Sequence, residues 1–365
     1  MPFADRRSDG VLVSVLASLA LLGGCAARPE GAPAVADGRY DSRFPQEDVA
    51  PLLERISRSV HMVTAIAYYK VHTVPLSDSI ESSNLPPELL DRYAQGARYI
   101  NSVNVGASTI VGLGTRQTLV LTCAHVVNYP DTIFTYHLTA GGVPSRFLSS
   151  IGLRARVSVS VGIFPQGGEL ELVALDSGED LALLGAHFSE PLPPTISVFS
   201  FPLGRTADLE WGSFVYVVGY PVGHQMVTHG LVSLGRRPAE EGFFVDAGMG
   251  RGFSGGPVLA IRDGLPHIEL VGLARMMPGK TSFVLVPEES QGGLSYDPEI
   301  PYRGEAYVRR QTELHYGMAR AISAEAIRAF LQNTRSAVEA AGYQPPMLPS
   351  SGKDSTLAPE GVSND

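Results

Sequence analysis

Directly after a serine bounded by glycines, this chain turns back as a hairpin, and that narrows the folds open to it. The segment Gly252-Phe253-Ser254-Gly255-Gly256-Pro257 leads into one apolar run to Ile261, the turn signal Arg262-Asp263-Gly264, and a second run over Ile268–Ala274. The glycines let the backbone bend sharply and leave the Ser254 hydroxyl open to an incoming carbonyl. They also let the amides of Gly252 and Ser254 converge on one point, as a developing oxyanion requires. Gly252-x-Ser254-x-Gly256 fits the nucleophile elbow of α/β-hydrolases too, but that elbow runs straight into a helix. A hairpin here points to antiparallel strands.

A serine nucleophile needs a base to take its proton and a group to fix the tautomer of that base. In Leu121-Thr122-Cys123-Ala124-His125-Val126-Val127, the histidine ends an apolar run. In Glu179-Asp180-Leu181-Ala182-Leu183-Leu184, an acid opens another. His125 is the candidate base and Asp180 the candidate acid, with Asp176 as the alternative. The three residues are far apart in sequence and meet only if two β-structures face each other across a cleft. His224 and His229 lie near glycines and read as structural or exposed. No His or Cys spacing suggests a zinc site, so neither metal nor cofactor is expected.

The rest of the chain fits an all-β architecture: short apolar runs separated by Gly and Pro. Strands are predicted over 63–74, in two runs within 108–127, in short runs over 132–161, and over 170–175 and 181–184. Further strands are predicted near 214–218, 231–234 and 243–245. Helices are predicted over 49–59, from Pro86 through Tyr99 as an insertion, and from a Ser323 cap to about Ala341, with Gly342 as the stop. Pro191-Leu192-Pro193-Pro194 marks the crossing between two halves. The stretch 278–314 is longer than an ordinary loop and reads either as a lid beside the site or as a surface excursion.

The order His125, Asp180, Ser254 resembles that of the chymotrypsin class. Asp246–Ser254, Val218-Gly219-Tyr220-Pro221, Val227–Ser233, Val271-Gly272-Leu273-Ala274 and Tyr316–Ser323 are similar to segments of the bacterial HtrA/Deg branch of trypsin-like serine peptidases. The resemblance implies two six-stranded antiparallel β-barrels with a cleft between them, plus a C-terminal helix. It implies polypeptide substrates and a serine endopeptidase activity, with a protease-fold binding or regulatory protein of gated or silent catalysis as the alternative. An esterase using the same serine is a third reading. It also implies a primary specificity pocket walled by Gly248, Met249 and Gly250 and by Val271, Gly272, Leu273 and Ala274, which suits a small or aliphatic residue before the cut. Arg251 matches the family pattern and reads as structural support. Gly250 and Phe253 depart from it, standing where that branch usually has polar residues: the Phe253 side chain cannot form the acidic ion pair that activates trypsin-like zymogens, and no Ile-Val-Gly-Gly-like start occurs. About thirty residues follow Leu331, so no PDZ module is expected downstream.

Composition bounds the partners. A net charge of −9 over 365 residues, with no basic run, argues against nucleic acid. Arg6 and Arg7, an apolar run from Val11 to Leu22 and then Leu22-Gly23-Gly24-Cys25 resemble a bacterial lipoprotein signal. That resemblance implies lipidation of Cys25 and an anchor in the outer membrane of the cell envelope, facing the periplasm. Cys123 is then left without a disulfide partner and reads as a small buried hydrophobe. The expected organisation is a signal over 1–24, a flexible tether over 25–47, barrels over 48–190 and 191–342, and a disordered tail over 343–365. Oligomer formation stays open.

Overall fold

From Val63 to Val71 every second side chain is buried, the period of a strand with one face on a core. This strand, β1 (Val60–Thr73), belongs to a computed structural model that describes residues 36–85, 88–139, 143–234, 242–275, 279–287, 306–314 and 317–349. The chain divides into residues 1–38 and a unit from Arg39 onward, and both barrels lie in the latter. The signal expected over 1–24 and Cys25 lie outside the described residues.

The first sheet adds β2 (Arg98–Leu113), β3 (Gln117–Cys123), β4 (Thr132–Leu138), β5 (Pro144–Ser160), β6 (Glu169–Asp176) and β7 (Leu181–His187). Its order is β1-β2-β3-β7-β6-β5-β4, and β1 also pairs with β5, so six strands close a barrel with β4 outside the ring. The second barrel uses β8 (Phe214–Gly219), β9 (Met226–Leu234), β10 (Phe243–Val245), β11 (Pro257–Ile261), β12 (Ile268–Arg275) and, after a ribbon of β13 (Gly279–Pro287) and β14 (Ala306–Leu314), β15 (Ala319–Ser323). It closes in the order β10-β15-β12-β11-β8-β9. The helices are α1 (Ala50–Ser57), α2 (Leu89–Arg92), α3 (Ala124–Val127), α4 (Ala324–Asn333) and α5 (Arg335–Ala340). No helix among the described residues is long and apolar enough to cross a membrane. The expected all-β fold of two closed six-stranded antiparallel barrels is thus present.

The long stretch 278–314 is, in its described part, the β13–β14 ribbon. The Ser323 hydroxyl accepts from the amide of Ala326 and caps α4, and the predicted single helix is two, divided at Thr334.

Three expectations are corrected. The helix expected from Pro86 through Tyr99 is a single turn, α2. Gly96 takes a left-handed φ of 87°, and Tyr99 is already in β2 opposite Lys70. The disordered tail expected from 343 is docked as far as Pro349: Tyr343 is buried against Gly185 and His187, and the Pro349 carbonyl accepts from the Leu203 amide at 2.7 Å. The flexible tether expected over 25–47 is held to the second barrel from Arg39 onward. Tyr40 bridges Arg262, the Asp41 amide donates to the Ile261 carbonyl, and Phe44 meets Phe214 edge-on.

Charged and hydrogen-bonding side chains hold that segment too. The Tyr40 hydroxyl donates to Glu269 Oε2 at 2.6 Å, and burial, helped by Glu269, pushes the phenol far above its ordinary value. Arg262 reaches the same carboxylate at 3.2 Å and Asp208 at 3.1 Å, and its guanidinium lies over the Tyr40 ring. A buried network of this kind costs most when one member is removed. Tyr40→Phe is therefore expected to lower unfolding stability by about 1–3 kcal/mol in urea denaturation. A free leash would leave the midpoint unchanged.

Candidate active site

β3 and β7 pair in a register that sets Leu121 opposite Leu183 and Cys123 opposite Leu181, all fully buried. Each buried leucine side chain contributes about 1.5–3 kcal/mol, so a slip of the register would be costly. That register decides what stands just beyond the paired ends: His125 on one side and Asp180 on the other. The chain leaves β3 through the extended Cys123 into the single turn α3, which carries His125. Asp180 precedes β7 with a left-handed φ of 62°, a conformation that Asp tolerates better than most residues, and its carbonyl accepts from the Ala124 amide.

The Asp180 carboxylate is engaged twice by His125. Oδ1 accepts the backbone amide of His125 at 2.8 Å, and Oδ2 lies 2.8 Å from the ring Nδ1. A proton on Nδ1 faces the carboxylate, which leaves Nε2 as the acceptor. Asp180 is only 5% exposed. Burial alone pushes its carboxyl up, but the hydrogen bonds from the His125 ring and amide, with the charges of His125 and Arg275, outweigh burial and hold it below its ordinary value. The alternative acid, Asp176, is engaged elsewhere, where its Oδ1 accepts the amides of Gly178 and Glu179 and closes the turn.

Ser254 arrives from the second barrel. Its carbonyl accepts from the Ala107 amide of β2 at 2.8 Å. The next residue, Gly255, has a φ of 86°, and a side chain there would collide with the Ala107 carbonyl and the Thr122 hydroxyl. Gly255 donates to the Ala274 carbonyl, and Ala274 donates to the Gly256 carbonyl, each at 2.8 Å. The amides of Gly252 and Ser254 have no acceptor among the described residues. Ser254 Oγ and His125 Nε2 are not hydrogen-bonded to each other.

The turn is locked by apolar packing. Phe253 is buried in the second barrel, and Gly219 makes room for it: a β-carbon on Gly219 would overlap the ring. The neighbouring Tyr220 amide donates to the Gly252 carbonyl at 2.9 Å, which fixes the peptide just ahead of the serine.

Cys123 is fully buried and donates to the Ala274 carbonyl, and burial raises its thiol well above the ordinary value. Its sulfur and the side-chain donor atoms of His125 and Asp180 lie within 4.8 Å of one another. A protonated thiol already donating to a carbonyl, beside a carboxylate already holding the imidazole, is a poor donor set for a metal. His224 and His229 are exposed, and His229 stacks on Phe214.

Two expectations about this region change. Val271, Leu273 and Ala274 are completely buried and Gly272 pairs with Ser323, so 271–274 is barrel wall that a substrate side chain does not meet. Met249 also points into the core, leaving Gly248 and Gly250 beside open space. The expected aliphatic preference loses its basis. Arg251 is exposed, with no ion pair or hydrogen bond among the described residues, and supports nothing structurally. The arginine that matters was missed: Arg275, at the end of β12, places its Nε 3.0 Å from Asp180 Oδ2. The one signal in the sequence was a charge directly after the buried run Ile268–Ala274.

The two closed six-stranded barrels are consistent with a chymotrypsin-like fold. Residues 106–273 match the family model described as a trypsin-like peptidase domain. Among curated proteins, the chain is similar to the mitochondrial serine protease HTRA2 of Bos taurus, 36% identical over 135 residues, which cover 34% of this chain and 26% of that protein. The match thus spans about a quarter of that relative's length.

If Phe253 locks the turn, Gly219→Ala should displace it. The expected cost is about 1–3 kcal/mol of stability in a denaturation experiment. Reactivity of Ser254 should fall further than this loss explains when both are measured where the variant is folded.

Proposed function

We propose that the protein is a serine endopeptidase acting through an acyl-enzyme. The observation that carries this reading is the pairing of His125 with the buried Asp180 beside a glycine-bounded serine whose neighbouring amides are unengaged among the described residues. Ser254 Oγ attacks the scissile carbonyl while His125 Nε2 takes its proton. The resulting oxyanion accepts from the amides of Gly252 and Ser254, donors worth roughly 3–4 kcal/mol each in comparable sites. Collapse breaks the C–N bond, and His125 returns the proton to the departing amine. Water, activated by His125 in turn, then releases the acyl group and restores the serine. Asp180 keeps the imidazole in the required tautomer and stabilises its charged form.

One observation favours a second reading, a gated peptidase: the hydrogen bond between Ser254 and His125 is not made. A site that tightens only with substrate has this appearance. The two readings differ in reactivity without substrate. A fluorophosphonate probe is expected to label the wild-type protein on Ser254 and to leave Ser254→Ala unlabelled. Labelling that persists in Ser254→Ala would falsify the mechanism. A gated site labels only when a polypeptide is added.

The acids should separate cleanly. Asp180→Asn is expected to slow labelling by roughly 10³–10⁴, because the amide favours the wrong tautomer. Asp176→Asn keeps its turn and should lose less than about threefold.

We also propose that the protein is exported and lipid-anchored through Cys25 in a bacterial outer membrane. The basic start, the apolar run to Leu22 and Gly23-Gly24-Cys25 support this. Mass spectrometry of the mature N-terminus is expected to find acylated Cys25. An unmodified cysteine there overturns the anchor and leaves the peptidase reading intact.

A further inference from the structure

Asp180 directs both of its oxygens to His125, yet it also meets a cation from the other barrel. Arg275 Nε lies 3.0 Å from Oδ2, with the arginine side chain 30% exposed and the aspartate side chain 7%. The contact links β12 of the second barrel to the loop before β7 in the first. We propose that Arg275 is a positioning residue of the peptidase site: it supplies the countercharge of Asp180 and so spares His125 from carrying that charge in the resting state. The inference rests on the peptidase reading above.

A carboxylate removed from water needs a compensating cation. In an isolated pair of His and Asp the carboxylate favours the imidazolium, which cannot accept the proton of Ser254. An arginine is charged at every pH at which a protein is folded. With Arg275 in place, the desolvated Asp180 has a permanent countercharge beside it. The hydrogen bonds that orient the ring come from the amide and Nδ1 of His125 itself, so Arg275 contributes charge more than direction.

The groups around the pair support this assignment. From β3, Cys123 presents a thiol that burial keeps protonated. From β2, Asn104 meets only the His125 carbonyl and carries no charge. From β12 comes Arg275, and across the β12–β15 pairing Arg320 lies opposite it and adds charge of the same sign on that strand pair. Among the described residues, Arg275 is the permanent cation in contact with Asp180.

The test is the pH dependence of fluorophosphonate labelling of the full chain, which reads the base without needing a substrate. Removing a unit charge that shares a carboxylate with the imidazole favours the imidazolium by on the order of one pH unit. In Arg275→Gln the acidic limb of the labelling profile is expected to move about one unit upward. Arg275→Ser, the second uncharged variant, should move it likewise, and Arg275→Lys should return it to the wild-type position. A profile that is lowered without being displaced makes Arg275 a packing residue and overturns the proposal. A folded Arg275→Lys with a displaced limb overturns it too, even where neither uncharged variant folds. Wild-type protein unlabelled at every pH, with or without added polypeptide, removes the peptidase reading and this inference with it. A labelled wild type with unmoved variants removes the inference alone.

Discussion

The Ala107 amide of the first barrel donates to the Ser254 carbonyl of the second, and the geometry of the site depends on that short bridge. His125 and Asp180 are carried by one barrel and Ser254 by the other, so their mutual placement is only as good as the contact between the two. The Ser254–Gly255 backbone lies directly on β2 and β3, with no side chain on Gly255 to hold it off. Cys123 adds a second tie through the Ala274 carbonyl, and Arg275 a third through Asp180. A backbone hydrogen bond contributes only about 1 kcal/mol net, so precision comes from several ties converging within a few residues.

Much of this was legible in the sequence because the signals were local. Apolar runs of the right length announced the strands, and turn residues announced the hairpin after Ser254. His125 and Asp180 could be chosen because each sits at the end of a buried run, and antiparallel pairing of such runs brings their ends together. What was not legible depended on partners remote in sequence. Tyr40 looks like any residue of a Pro/Gly/Ala-rich leader until Glu269, 229 positions away, accepts its hydroxyl. The strand 271–274 looked like a pocket wall because apolar side chains suit both a pocket and a core, and only burial distinguishes them. Tyr99 was drawn into a helix because β2 continues past the barrel with exposed residues, where alternation gives no signal.

Phe253 holds the turn before Ser254 by packing rather than by charge. The turn before the serine has to be held from beneath. Here an aromatic ring against Gly219 does so, and such packing is indifferent to a new N-terminus and to the protonation of a carboxylate.

The two ends of the described chain are attached crosswise. The segment from Arg39, which precedes the first barrel, is fastened to the second through Tyr40 and Phe44. Of the residues after β15, which follow the second barrel, α5 packs against β6 of the first and Tyr343 covers Gly185 beside His187. Each barrel is therefore strapped by chain that belongs, in sequence, to the other side of its neighbour. Cutting the protein between Pro191 and Pro194 would not yield two self-sufficient halves: each fragment would keep the strap its partner needs and lack its own. Opening either barrel releases a restraint on the other, so the pair should melt as one cooperative body rather than as two modules joined by a linker.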